Sequence, residues 1–216
     1  MVTHNTLHSA SEQIASALLD IGAIRLSPSK PYKWASGWLS PIYCDNRLSL
    51  SFPQTRMLIK NSLVALIKEK FADVEAIAGV ATAGIPQGVL IAEVLNLPFI
   101  YVRPKPKDHG MENLIEGKIV PGQKVVVIED LISTGGSSLK AVEALRESDI
   151  QVMGMAAIFT YGFDVAAKNF ETSKVTLYSL SNYYTLVKLA AEKGYIKENE
   201  MNSLSEWRNA PDKWGK

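Results

Sequence analysis

With 216 residues, 47% of them hydrophobic, the chain can bury a substantial core, and one α/β domain with a small appendage is the simplest arrangement. A net charge of +1 supplies no electrostatic footprint for nucleic acid, so no nucleic-acid partner is expected. Cys44 is the only cysteine, which excludes an intrachain disulfide and fits a reducing compartment.

The first stretch, MVTHNTLHSASEQ, has neither a basic start nor an apolar run, so no secretory signal is expected. His4, His8 and His109 are too scattered to suggest a zinc site. Leu7, Ile14, Leu18 and Ile21 share one helical stripe and predict an amphipathic helix over about residues 6–20, ending near Gly22. Pro28, Pro31 and Gly37 punctuate the aromatic segment PYKWASGWLSPIYCDNR (31–47), which reads as two short strands joined at Ser36-Gly37. Its rings, Tyr32, Trp34, Trp38 and Tyr43, can either pack a small subdomain or form a hood over a flat ligand.

Ser51-Phe52-Pro53 marks the start of a helix reaching about Lys70, with Met57, Val64, Ile67 and Phe71 as its apolar stripe. Residues 75–80 read as a buried strand, 81–86 as a tight loop and 87–95 as the next helix. The uncharged run 76–92 is broken by Gly79, Thr82, Gly84, Pro86 and Gln87, so no membrane span is expected. The loop is either an ordinary strand-to-helix turn or an anion site, with donors from Thr82, Ala83 and Gly84. Phe99 to Val102 is a third strand. After it, RPKPKDHG (103–110) carries two prolines, three cations and a histidine against one aspartate. Such a segment is a solvated basic loop or a lid for a polyanion.

Lys124 to Val142, KVVVIEDLISTGGSSLKAV, is the stretch around which the chain is organised. Val125 to Ile128 is an unbroken β-branched run, as in a parallel strand buried on both faces. Glu129 and Asp130 fall at its carboxyl end, the edge where open α/β sheets bind ligands. The loop Leu131 to Ser138 has two adjacent glycines and four hydroxyl side chains, so backbone N–H groups and hydroxyls can converge on a phosphate. A helix over about residues 137–147 would point its N-terminus at the same anion. The loop has no lysine after its glycines, unlike a Walker loop, and no GxGxxG spacing, unlike a dinucleotide fold. Paired acids beside a phosphate nest suit a sugar phosphate.

Residues 152–160 and 175–180 read as two more strands around a helix at 164–171, giving a sheet of at least five strands. Residues 183–193 and 195–208 read as two closing helices, with Ile196, Met201, Leu204 and Trp207 partly buried and no chemical role assigned.

Lys124 to Ser138 resembles the phosphoribosyl pyrophosphate (PRPP) signature of type I phosphoribosyltransferases. Trp34-Ala35-Ser36-Gly37, Ser40-Pro41 and Tyr43-Cys44-Asp45 are similar to the N-terminal pattern of the orotate phosphoribosyltransferases within that family, and RPKPKDHG is similar to their catalytic loop. The resemblance runs from Asp20 to Leu180. It implies an α/β fold, an open mostly parallel sheet flanked by helices, with an N-terminal helix and hood (1–50) and a core with C-terminal helices (51–216). The implied activity is Mg²⁺-dependent transfer of ribose 5-phosphate from PRPP to orotate, giving orotidine 5′-monophosphate and pyrophosphate in de novo pyrimidine synthesis.

By the same resemblance, Lys107, Arg103, His109 and Asp130 are the catalytic set, and Glu129, Asp130, Leu131, Ile132, Ser133, Thr134, Gly135, Gly136 and Ser137 hold the ribose and its 5′-phosphate. Thr82, Ala83 and Gly84 hold the pyrophosphate together with the lid. Ser133, Ser36 and Gly37 contact orotate. Some members grip the base with a lysine and an arginine at positions occupied here by Ala35 and Tyr161, which leaves Ser133, the Trp34 to Gly37 backbone, Lys33 or Arg47 for the orotate carboxylate. No metal-binding side chains are assigned, because substrate oxygens would supply the Mg²⁺ ligands. A cytoplasmic homodimer with the lid shared across subunits is implied. A purine phosphoribosyltransferase or a PRPP-sensing regulator would share the central motif. The first would not need the hood and lid, and the second would need a basic face or an appended helix-turn-helix.

Overall fold

A computed structural model of the chain describes residues 3–34, 37–105 and 114–215. The run Val125–Ile128 lies at its centre with all four side chains fully buried, because the strand that carries them has parallel neighbours on both edges.

The chain opens with α1 (Thr3–Asp20), followed by the short strands β1 (Ile24–Leu26), β2 (Tyr32–Lys33), β3 (Leu39–Ser40) and β4 (Ile42–Cys44). A 3-10 turn at Asn46–Ser51 leads into α2 (Pro53–Lys70), β5 (Ala76–Val80), α3 (Gly84–Leu95), β6 (Phe99–Val102) and β7 (Ile115–Glu116). Then come β8 (Lys124–Ile132), α4 (Gly136–Glu147), β9 (Gln151–Thr160), α5 (Asp164–Thr172), β10 (Leu177–Asn182), α6 (Tyr183–Glu192) and α7 (Met201–Asn209).

The main sheet has the order β10-β9-β8-β5-β6-β7, parallel throughout except for β7, which runs antiparallel to β6. From β5 the chain moves outward to β6, then returns to place β8 on the other side of β5. That reversal opens a crevice above the carboxyl ends of β5 and β8, where ligands bind in sheets of this kind. The hood is the two antiparallel pairs β1-β4 and β2-β3. The second pair is the expected pair of strands around Ser36-Gly37, although Ser36 lies outside the described residues.

Several boundaries differ from the sequence expectation. Strand β8 continues through both acids to Ile132, paired with β9 as far as Ile132↔Thr160, so the phosphate loop shortens to 133–135. Helix α3 begins at Gly84, three residues early, and β10 sits two residues later than expected. The antiparallel β7 is a sixth strand. In α2 the buried stripe is Thr55, Ile59, Leu63 and Ile67, whereas Met57 is 55% exposed. Met57 lies two residues past Thr55, about 200° around the helix, and therefore faces away from the core. The tail predicted over 195–208 is a 3-10 turn at Glu198–Glu200 and then α7, in which Trp207 is completely buried.

Candidate active site

Two helices begin at the rim of the crevice without a side-chain cap: α3 after Ala83 and α4 after Gly135. Their first N–H groups have no acceptor within the helix, so each end is electropositive and suited to a phosphate. The start of α3 is seated on β8, where a Cβ on Gly84 would collide with the carbonyl oxygen of Ile128. Only glycine permits that approach. At the other loop, Gly135 has φ +80°, and a Cβ there would stand 2.6 Å from Cε2 of Phe170. Asn169 Nδ2 donates to the carbonyl of Thr134 at 2.9 Å, so α5 supports the loop from behind.

The two acids sit at the floor between these loops. Glu129 is 6% exposed, and its carboxyl accepts from Ser138 Oγ (2.8 Å) and from the backbone N–H of Asp130 (3.0 Å). Burial and then the neighbouring Asp130 carboxyl push Glu129 up to about 8. Burial also raises Asp130, against the opposing pull of its hydrogen bond with Glu129 and of Arg47. Two desolvated carboxyls in contact share a deficit of positive charge, which a cationic ribose ring or a metal ion would relieve. Asn46, itself buried, donates from Nδ2 to the carbonyl of Asp130 at 2.7 Å, and Cys44 Sγ lies 3.4 Å from Asn46 Oδ1. Burial raises the Cys44 thiol well above its ordinary value, so it remains protonated rather than nucleophilic.

Beside the acids is a cavity of about 320 Å³, walled by Lys33, Trp34 and Tyr43 of the hood and by Leu131, Ser133 and Tyr161 of the core. Trp34 and Tyr161 stack with ring centroids 5.4 Å apart and planes 29° from parallel. The cavity is therefore aromatic with one lysine at its wall, a composition suited to a flat ring bearing an anionic group. Ser133 is among the wall residues. Gly37 is not among the wall residues, and Ser36 lies outside the described residues. Of the two proposed cations, Lys33 lines the cavity, while Arg47 donates to Asp45 Oδ1 at 2.6 Å.

A further cavity, of about 480 Å³, lies between the end of β5 and the first turn of α4, bordered by Ala81, Arg103, Ser137 and Lys140. The backbone N–H of Arg103 donates to Leu114 O (2.8 Å), and its Nη1 stands 3.6 Å from Glu116 Oε1. At that distance the ion pair includes no hydrogen bond, and Nη1 is buried. Lys107 and His109 lie outside the described residues. Leu131 and Ile132 are strand residues, with Ile132 fully buried and its carbonyl already accepting from Tyr161 N (3.1 Å) and Thr160 Oγ1 (3.3 Å). Sequence reasoning missed Asn46, Lys140 and Asn169, and it counted Ser138 among the loop hydroxyls without pairing it to Glu129.

A phosphoribosyl transferase domain profile matches residues 54–185. An orotate phosphoribosyltransferase of Cytophaga hutchinsonii is 60% identical over 95% of this chain and 99% of its own. One from Listeria innocua is 53% identical over 96% of this chain and all of its own. Among solved structures, orotate phosphoribosyltransferase from Aeropyrum pernix superposes with a TM-score of 0.73 at 29% identity, over 85% of this chain and 99% of that one. Leishmania donovani UMP synthase gives 0.76 at 26% identity, with this chain matching 92% of its own length and 42% of the larger protein. A crevice with two phosphate-type helix ends, an acid pair and an aromatic slot thus coincides with close sequence relatives throughout, and the chain belongs to the orotate phosphoribosyltransferase family.

Proposed function

We propose that the crevice performs the reaction for which its family is named, transferring ribose 5-phosphate from PRPP to orotate to give orotidine 5′-monophosphate and pyrophosphate in pyrimidine biosynthesis. The observation that carries this reading is the juxtaposition at the end of β8. Leu131 and Ser133 wall the aromatic slot, Glu129 and Asp130 directly precede them, and Thr134 to Ser137 open the uncapped helix. A base, a ribose and a 5′-phosphate placed on these three features would have the connectivity of a nucleotide.

The ring nitrogen of orotate gives its electron pair to the anomeric carbon as the bond from that carbon to pyrophosphate breaks, its electrons leaving with pyrophosphate and the proton of that nitrogen passing to water or to the departing pyrophosphate. Positive charge grows on the ribose ring and negative charge on the departing group. Asp130, with Glu129 behind it, faces the first and favours it, and accepts hydrogen bonds from the ribose hydroxyls. The helix ends at Thr82 to Gly84 and Gly135 to Ser137 hold the pyrophosphate and the 5′-phosphate, and Arg103 adds positive charge beside the pyrophosphate. Lys107 and His109, from the lid, complete the charge around pyrophosphate and exclude water.

Mg²⁺ fits this donor set. No group of three or more His, Cys, Asp or Glu side chains that could cage a metal occurs among the described residues, so substrate oxygens and water would make up most of the coordination shell beside Asp130 and Glu129. When bound, the ion neutralises charge on pyrophosphate. The reading also includes a homodimer in which each lid reaches the partner's crevice, and a cytoplasmic location. Among the described residues no helix is long and apolar enough to cross a membrane.

The test is orotate's ultraviolet absorbance with enzyme, PRPP and Mg²⁺, with uracil, hypoxanthine and adenine as competing bases. Loss of orotate signal with matching pyrophosphate release is expected. Turnover of a purine in place of orotate, or PRPP binding without turnover, would overturn the assignment.

A further inference from the structure

The C-terminal helix packs behind the aromatic slot, against two of the rings that wall it. Trp207 of α7 is 0% exposed, and its Nε1 donates to the carbonyl of Leu39 in the hood at 3.2 Å. Its indole meets Trp34 edge-on (5.6 Å, 87°) and Tyr161 edge-on (5.5 Å, 89°), the two rings that stack on each other beside the cavity. It also packs on Phe163 and Tyr183, each at 5.3 Å. One hood ring and one core ring, already stacked on each other, are therefore both braced by a single indole that does not itself line the cavity.

Arg208, the next residue, fixes the turn that carries Tyr161. Its Nη2 donates to the carbonyl of Gly162 and pairs with Asp164 Oδ1 at 3.1 Å, and its guanidinium lies over the Tyr184 ring at 5.2 Å. The helix is in turn anchored to α6, where the Tyr183 hydroxyl donates to Leu204 O (3.0 Å). Beyond it, Trp214 Nε1 donates to Ser203 Oγ (3.2 Å), and Gly215 lies against Leu39. Hood, β9 turn and tail thus converge on Trp207. Edge-on aromatic contacts and a buried indole hydrogen bond are directional, so they set a spacing rather than merely fill space.

We propose that Trp207 is a positioning residue for the nucleobase. Through Trp34 and Tyr161 it holds the aromatic wall of the slot in place, so the C-terminal helix governs affinity for the base while the PRPP side is independent of it. The inference rests on the 320 Å³ cavity being the orotate site.

The test compares Trp207→Phe, which keeps a ring but loses the N–H and part of the indole, with the wild-type enzyme by steady-state kinetics in each substrate. The KM for orotate should rise about tenfold, the scale of one lost hydrogen bond and loosened ring packing. The KM for PRPP should stay within about twofold, a split that general destabilisation does not produce. Arg208→Met provides the second variant, acting on the Tyr161 turn from a partly exposed position, and decides the matter if Trp207→Phe does not fold. It should raise the orotate KM in the same direction with PRPP unchanged. An unchanged orotate KM, or equal rises for both substrates, would overturn the proposal. Absence of orotate turnover in the wild-type enzyme would instead remove the reading on which it rests.

Discussion

Ser138 Oγ donates to Glu129 Oε2 at 2.8 Å, fastening the first turn of α4 to the first acid of the pair. The bond links the orientation of the phosphate loop to a carboxyl whose burial raises it to about 8 from an ordinary 4.5. Between those values the unfolded chain releases a proton that the folded chain retains. Rising pH therefore draws the equilibrium toward the unfolded state, by up to about 1.4 kcal/mol per pH unit. Ligand-free enzyme should lose thermal stability from pH 5 to pH 8. Glu129→Gln, which cannot ionise, should flatten that slope, and calorimetric midpoints across the range will reveal it. Equal slopes in both proteins would show that Glu129 is ionised in the fold.

Gly135 is required twice over, by φ +80° and by the 2.6 Å approach of Phe170 Cε2 to a Cβ at that position. Gly135→Ala should destabilise the fold by about 1–2 kcal/mol from the backbone conformation alone, with the steric contact added. It should also weaken PRPP binding, because the loop that ends in the N-terminus of α4 must shift. Adding Phe170→Leu relieves the contact but not the backbone cost, so urea midpoints should recover in part and PRPP titrations less. Full recovery of both would mean that only the collision mattered.

Asn46 reaches from the hood to the carbonyl of Asp130 across 84 positions of sequence, at 2.7 Å and wholly buried. Asn46→Ala leaves a polar group without its partner at a cost of about 1–3 kcal/mol. Because the lost bond holds the catalytic strand end, turnover should fall about tenfold or more while the orotate KM changes little. Denaturant unfolding together with initial rates separates the two effects. Wild-type turnover in a destabilised Asn46→Ala enzyme would make the residue purely structural.

What the sequence made legible was local. The run of valines in β8 specified a buried parallel strand, and the paired glycines after it specified a loop ending in a helix. Both depend on nearest neighbours along the chain. Met57 was misplaced because the apolar positions of α2 admit more than one stripe. Only the packed fold shows that Thr55 and Ile59 face inward. Asn46 and Trp207 were invisible as functional residues because their partners lie 84 and 168 positions away. That Lys33 rather than Arg47 lines the cavity likewise required the fold. Arg47 is held by Asp45, and that contact was not implied by the order Asp45-Asn46-Arg47 alone.

Lys33 is the lysine at the wall of the aromatic slot, and orotate differs from uracil by a carboxylate. Lys33→Met keeps much of the aliphatic stem and removes the charge. The orotate KM should rise about tenfold, as loss of one charge-assisted hydrogen bond requires. Inhibition by uracil, which has no carboxylate to lose, should be unchanged. Parallel weakening of both rings would indicate that Lys33 shapes the slot rather than pairing with the anion.

Lys107 is assigned to the departing pyrophosphate through the resemblance of RPKPKDHG to the family's catalytic loop. A charge that acts where negative charge develops contributes more to the transition state than to the ground state. Lys107→Ala should therefore lower turnover by about a hundredfold or more, with the dissociation constant of PRPP raised far less. If the lid serves the partner subunit's crevice, mixing inactive Lys107→Ala with inactive Asp130→Asn and allowing subunits to exchange should restore activity. Each mixed dimer then has one crevice with both an intact acid and an intact lid. Exchange verified by mass but without recovered activity would confine each lid to its own chain, and unchanged turnover in Lys107→Ala would remove the lid from the chemistry.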